Sequence, residues 1–277
     1  MQGARRLVVS IYVLLLTLSA AVGAGQSLPS TPLALTPAEM ETFLLKARIV
    51  RTRDAGSGVT NSKRVTLSDG SLTHDAHVQV VDVEKASFQA GKASEFNFKD
   101  SYRFNIAGYR LATLLDLRVP MSVRRTYEGH QAAFTWWLDD VAMDEAGRVK
   151  SQSRAPDPER TSKQLYVMRV FDELIQNRDR NAGNMIWTKD WTLWLIDHTR
   201  AFRLDKELRK TDDLVRVERG FLARIRRLDK ESVREVMDGV LTNPEIDAVL
   251  ARRNALVQHF DERINKAGEV AVLFDRD

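Results

Sequence analysis

The residues best suited to chemistry lie in one short stretch, a polar loop NRDRNAGN over residues 177–184 followed by two strand-like segments, 185–188 and 193–197. The loop places Asp179 and Asn184 before the first strand, and Asp197 stands at the exit of the second. Antiparallel pairing brings all three to the same end of the hairpin. Oxygen-bearing side chains gathered in this way suit a hard divalent cation such as Mg²⁺ or Mn²⁺, which takes oxygen ligands and shares them with substrate phosphates. Asn184 and Asp197 are therefore the candidate metal ligands. Asp179, with no metal to hold, is the candidate to orient or deprotonate an acceptor hydroxyl. An Asp and an Asn five positions apart, with a later Asp, can supply the positioning and charge neutralisation that phosphoryl transfer demands. The same residue types also cap turns, and spacing alone leaves that reading open.

The elements that must position these residues can be read on both sides. A short helix is expected after Thr36 with Pro37 in its first turn, then strands over 47–53, 63–67 and 76–83. The loop 54–62 carries Gly56 and Gly58, which could let the backbone approach a ligand, a hairpin turn being the competing reading. Residues 100–117 place Phe104, Ala107, Leu111, Leu114 and Leu115 at helical spacing, and a hairpin over 119–127 and 131–138 follows. Residues 139–143 would cross into a second subdomain. A helix opened by Ser162 or Lys163 runs to about Gln176, and its stripe of Leu165, Met168, Phe171, Leu174 and Ile175 faces a core. Downstream, helices are expected over 208–217 and 221–228, from Asp229 or Ser232, after Thr242 with Pro244 in the first turn, and a last one ending at Gly268, four or five in all, with the tail 269–274 packing back on them. This is an α+β, two-lobed design, with a small antiparallel sheet lobe over 38–140, one long helix within it, and a mainly helical lobe over 141–277. The cleft between the lobes is where a nucleotide would sit.

The wider string FDELIQNRDRNAGNMIWTKDWTLWLIDHTRAF, residues 171–202, resembles the catalytic core of the atypical kinases: the phosphatidylinositol 3- and 4-kinases, the HipA toxin kinases and the Golgi casein kinase. The resemblance implies a bilobal kinase-like fold, a catalytic role for Asp179, metal-ligand roles for Asn184 and Asp197, ATP as phosphoryl donor with Mg or Mn, and a protein, lipid or small-molecule hydroxyl as acceptor. Three positions depart from the pattern. Asn181 stands where those kinases have His. Gln79 aligns with the lysine that reaches the α- and β-phosphates, and Asn105 with its glutamate partner. Gln79 and Asn105 can hydrogen-bond to each other but cannot supply positive charge. Lys63, Lys85, Lys92 or Lys99 could substitute from elsewhere, or the metal could carry the neutralisation alone.

Two functions follow from different classes: an exported kinase, favoured by Asp179, Asn184 and Asp197, and a pseudokinase that binds a nucleotide or partner without phosphotransfer, favoured by Gln79. Arg180, Arg200 and Arg203 flank the site and could clamp phosphate, with surface ion pairing the competing reading. His198 reads as a hydrogen-bonding neighbour of the site or a satisfied core residue. The arginines between 216 and 227 read as the solvated face of an amphipathic helix.

Composition sets the outer bounds. The 277 residues contain no cysteine, which excludes disulfide scaffolds, cysteine nucleophiles, iron–sulfur clusters and thiolate zinc sites. A formal charge of +4 from 42 basic and 38 acidic residues gives no argument for nucleic acid as a partner. Arg5 and Arg6 precede an apolar run over 7–22, and Val22, Gly23 and Ala24 offer a cleavage site, so residues 1–24 read as a signal peptide. A retained membrane anchor is the competing reading, and the run is shorter than the roughly 20 residues needed to cross a bilayer. Residues 25–37 read as a linker. Cleavage would leave no stable membrane span and an exported protein, periplasmic or secreted.

Overall fold

The computed structural model describes residues 35–56, 62–90 and 93–276, so the leader, most of the linker, Gly58 and Lys92 lie outside the described residues. Residues 36–277 form one compact unit.

Helix α1 (Pro37–Lys46) begins where Thr36 and Glu39 close a reciprocal capping box, the Glu39 N–H donating to Thr36 Oγ1 and the Thr36 N–H to Glu39 Oε2. Three antiparallel strands follow: β1 (Arg48–Asp54), β2 (Lys63–Ser68) and β3 (Thr73–Gln79). The expected third strand over 76–83 is two elements. β3 ends at Gln79, its last partner on the sheet being Ala133, and Val80 is exposed where the alternation would turn it inward. From Asp82 the chain turns away into a separate hairpin, β4 (Asp82–Ala90) and β5 (Ala93–Ser101), which the sequence reading did not foresee. Next come α2 (Arg103–Leu115), β6 (Ser122–Tyr127) and β7 (His130–Trp136). The five-stranded sheet has the order β1-β2-β3-β7-β6, antiparallel throughout. Phe43 and Leu44 of α1 pack with Val65, Leu67, Ala76, Val78, Val123 and Phe134 to form its core. Each Val, Leu or Phe among them contributes roughly 1.5–3 kcal/mol on full burial.

The remainder is mainly helical. β8 (Val141–Asp144) leads into α3 (Glu145–Ser151) and α4 (Pro158–Ile175), and β8 pairs with β9 (Met185–Thr188), which pairs with β10 (Leu193–Leu195). α4 starts a turn earlier than the apolar stripe indicates, because Asp157 caps it, accepting from the Arg160 N–H at 2.9 Å, with Pro158 in the first turn. The expected helix over 208–217 is absent. The Arg209 N–H donates to Glu173 Oε2 at 2.8 Å instead of continuing a helix, and the segment holds only a 3₁₀ turn (Thr211–Asp213) before β11 (Val217–Glu218). Then follow α5 (Arg219–Arg227), α6 (Lys230–Met237), α7 (Asn243–Ala267), α8 (Glu269–Val272) and β12 (Leu273–Phe274), which returns beside β11.

The larger core joins α2, α4, α5, α6 and α7 around Phe104, Phe171, Trp187, Phe202, Phe221 and Phe260, all under 2% exposed. α2 thus belongs to this core although it also packs against β6 and β7, so it ties the two lobes together. Arg252 of α7 is fully buried. Its guanidinium donates to the carbonyls of Leu174, Arg203 and Asp205, and burial pushes its pKa down to about 10. No helix among the described residues is long and apolar enough to cross a membrane.

Candidate active site

Arg180 organises the loop between α4 and β9. Its Nε and Nη2 form a two-pronged pair with Asp172 of α4, at 3.0 Å each, while Nη1 donates to the carbonyls of Asn184 and Ile196, both at 2.8 Å. One guanidinium therefore fastens the helix end, the loop and the exit of β10 to one another. Its side chain is 8% exposed, which corrects the surface reading for this residue. The Ile196 N–H also donates to the Asn184 carbonyl at 3.2 Å, carrying the β9–β10 pairing one step further. Asp179, Asn184 and Asp197 consequently stand at the same end of the hairpin. Asn184 Nδ2 donates to the Asp179 carbonyl at 3.3 Å, which engages the amide nitrogen and leaves its oxygen for a cation. Asp197 has a left-handed backbone, φ 51°, an arrangement that non-glycine residues adopt at a cost and that clusters at functional sites. Its Oδ1 accepts from the Thr199 hydroxyl at 3.1 Å.

Carboxylates crowd this end. Burial pushes Asp179 up from the usual carboxylate range, with Arg200 opposing and Asp197 and Glu95 adding to the shift. Burial likewise pushes Asp100 up, a Thr199 hydrogen bond opposes, and Asp197 adds to it. Asp100 Oδ1 is buried with no hydrogen-bond partner. His77 of β3 is pushed down by burial, with Asp197 opposing. An orphaned carboxylate oxygen beside mutually repelling acids fits a site completed by a cation. Among the described residues no group of three or more His, Cys, Asp or Glu is arranged to hold a metal alone. Asn184 and Asp197 offer oxygen donors that could hold a hard cation only if other ligands complete its shell.

The facing elements are neutral. Gln79 is 2% exposed and its Oε1 accepts from Asn105 Nδ2; Asn105 Oδ1 accepts the His198 N–H at 2.7 Å. The pair that the sequence suggested is formed, and it fixes the backbone step after Asp197. His198 is 1% exposed, and burial with the neighbouring Arg180 pushes it well below the usual imidazole value, so it is neutral and Nε2 accepts from Arg180 at 3.1 Å. Gly108 of α2 lies against this ring, where an added Cβ would stand 3.0 Å from His198 Cγ. Gly56 is exposed with φ 88° and lies past the end of β1, at the end of the sheet where β3 delivers Gln79.

Sequence reasoning missed Glu95 and Asp100, both on β5. Glu95 accepts from Arg200 at 2.7 Å and lies 2.5 Å from Arg203, which is 4% exposed rather than a surface residue. The signal was the alternation of Phe96 and Phe98, the pattern of a strand.

No protein-family model and no curated protein matches the chain. Its fold does match solved structures. A hydra Fam20 structure with sugar is similar over 86% of this chain and 92% of its own, at TM-score 0.67 and 13% identity. The Golgi casein kinase with Mn and ADP bound is similar over 85% of this chain and 78% of its own, at TM-score 0.61 and 13% identity. The Helicobacter pylori proinflammatory kinase CtkA is similar over 82% and 95%, at TM-score 0.51 and 13% identity. The chain has the bilobal fold of atypical kinase-like proteins. The Golgi casein kinase among these structures belongs to the group that residues 171–202 resemble.

Proposed function

We propose that the protein is an exported kinase-like phosphotransferase that moves the γ-phosphoryl group of ATP to a protein, lipid or small-molecule hydroxyl. The observation that carries this reading is the fastening of Asp179, Asn184 and Asp197 to one end of the β9–β10 hairpin by Arg180. The fold supports it, as does the Mn and ADP bound to the Golgi casein kinase structure.

Asn184 and Asp197 would hold Mg or Mn, which supplies charge neutralisation of the phosphates. Asp179 would orient the acceptor hydroxyl and take its proton as the hydroxyl oxygen bonds to the γ-phosphorus and the bond to the ADP oxygen breaks. Burial, by raising the basicity of this carboxylate, favours that transfer. Gly56, Gly58 and Gln79 would border the nucleotide, with the lobes meeting near Asp140. Residues 1–24 would direct export.

A second reading, a pseudokinase, is favoured by one observation, the neutral Gln79–Asn105 pair where a phosphate-binding ion pair is expected. ATP consumption by the full chain with Mn²⁺ or Mg²⁺, beside Asp179→Ala and Asp197→Ala, separates the two. The kinase reading expects turnover that falls about 10²–10⁴-fold in Asp179→Ala. Turnover no greater than that of the variants, whatever acceptor is supplied, leaves the pseudokinase.

A further inference from the structure

We propose that Arg200 supplies the positive charge that Gln79 cannot, aimed at the terminal phosphate of the nucleotide and held there by Glu95. The ion pair of the site thus sits on β5 and the segment after Asp197, rather than on β3 and α2. This inference rests on the nucleotide reading above.

Of the four lysines suggested as substitutes by the sequence, Lys92 lies outside the described residues and the other three are engaged elsewhere. Lys63 donates to Asp54 at 2.6 Å on the outer strands of the sheet. Lys99 lies 3.0 Å from the fully buried Glu245 of α7 and 3.4 Å from Glu84, and Lys85 stands over the ring of Phe88. Among the arginines, Arg180 is consumed in fastening the loop, Arg203 is buried on Glu95 and the Asn97 carbonyl, and Arg178 pairs with Asp205.

Arg200 differs from all of these. It follows Asp197 by three residues, and its Nη1 lies 3.7 Å from Asp179 Oδ1 while Nη2 donates to Glu95 Oε2 at 2.7 Å. Its guanidinium carbon lies over the Phe98 ring, 5.1 Å from the centroid. Nε is buried with no hydrogen-bond partner, as are those of Arg178 and Arg203, so the approach to Asp179 is what sets Arg200 apart. A planar guanidinium is permanently charged and matches phosphate oxygens with paired donors. Because Arg200 abuts Asp179 and not the Gln79–Asn105 pair, it meets the end of the nucleotide at which transfer occurs. A lysine on β3 would have met the α- and β-phosphates instead.

The test is calorimetric titration of the full chain, with Mn²⁺ present, using a non-hydrolysable ATP analogue and, separately, ADP. Arg200→Gln is expected to weaken the analogue about 10- to 100-fold, the range for a charged hydrogen bond, and ADP by less than about 3-fold. Lys85→Gln, which removes an exposed hairpin charge, is expected to leave both unchanged. Wild-type protein that binds neither nucleotide overturns the nucleotide reading and this inference with it. Wild-type binding with unaltered analogue affinity in Arg200→Gln overturns the role of Arg200 alone. Equal losses for both nucleotides overturn its assignment to the terminal phosphate. Should Arg200→Gln not fold, Arg200→Lys keeps the charge without the paired donors and is expected to weaken the analogue about 3- to 10-fold; an unchanged affinity overturns the proposal.

Discussion

Two regions meet at the candidate site, and they are built from opposite materials. The β9–β10 end is charged, with Asp179 and Asp197 in a loop fastened by Arg180. The facing end, where β3 and α2 meet, is a neutral amide chain running from Gln79 through Asn105 to the His198 backbone. Both geometries are maintained by hydrogen bonds, the first through a guanidinium and the second through amides. Between β3 and α2 an amide pair, rather than an ion pair, does the positioning.

The largest effect expected from breaking either side is at Arg180. Arg180→Ala strips the partner from Asp172, which is 12% exposed, and leaves the Asn184 and Ile196 carbonyls short of a donor. Losing one member of a buried pair costs about 3–5 kcal/mol, so the melting temperature should fall roughly 6–20 °C. A change within a degree or two would show that the loop is held by other contacts.

The neutral side is sharpened by restoring the missing charges. Gln79→Lys alone buries an unpaired cation and removes the acceptor for Asn105 Nδ2, at a cost of about 3 kcal/mol or more. Adding Asn105→Glu should recover much of that loss, read as a positive coupling in a double-mutant cycle by chemical denaturation. Additive losses would mean that the amide pair cannot be exchanged for an ion pair in this packing.

The contact between α2 and the site gives a smaller effect. In Gly108→Ala the new methyl group presses on a ring that cannot yield, since His198 is bonded through both its backbone N–H and Nε2. Overpacking of about 1–3 kcal/mol is partly offset by the better helix propensity of alanine, leaving a net loss near 1 kcal/mol. A gain in stability would show that the ring has room to shift.

Smallest is a pH effect at Asp100, whose pKa is raised by burial. Between the unfolded value near 4 and the raised folded value, the folded protein holds a proton that the unfolded chain has released. Stability therefore falls as pH rises through that window and stays reduced above it. Asp100→Asn should melt above wild type at pH 7, and the difference should close as the pH falls below about 4. A difference that does not vary with pH would assign the effect to packing.

The charged side was legible in the sequence because its residues lie within 21 positions, on elements whose order follows from local pattern. Asp179, Asn184 and Asp197 could be placed at one end of a hairpin by pairing alone, and Gln79 and Asn105 could be matched to each other. What escaped was information carried by distant contacts. Arg180 looked like an exposed charge, since nothing local shows that Asp172 and two carbonyls surround it. Residues 208–217 have helical spacing at Leu214 and Val217, but a buried acid on α4 takes a backbone donor there. The β4–β5 hairpin was overlooked because its apolar alternation is sparse, and with it went Glu95 and Asp100.

The most direct test of the account is metal-dependent nucleotide binding by the intact chain, measured by calorimetry with ADP in the presence and absence of Mn²⁺. The account predicts saturable binding of one ADP per chain that requires Mn²⁺ and is lost in Asp197→Ala. Binding that is indifferent to Mn²⁺ and to Asp197, or no binding at all, would contradict it.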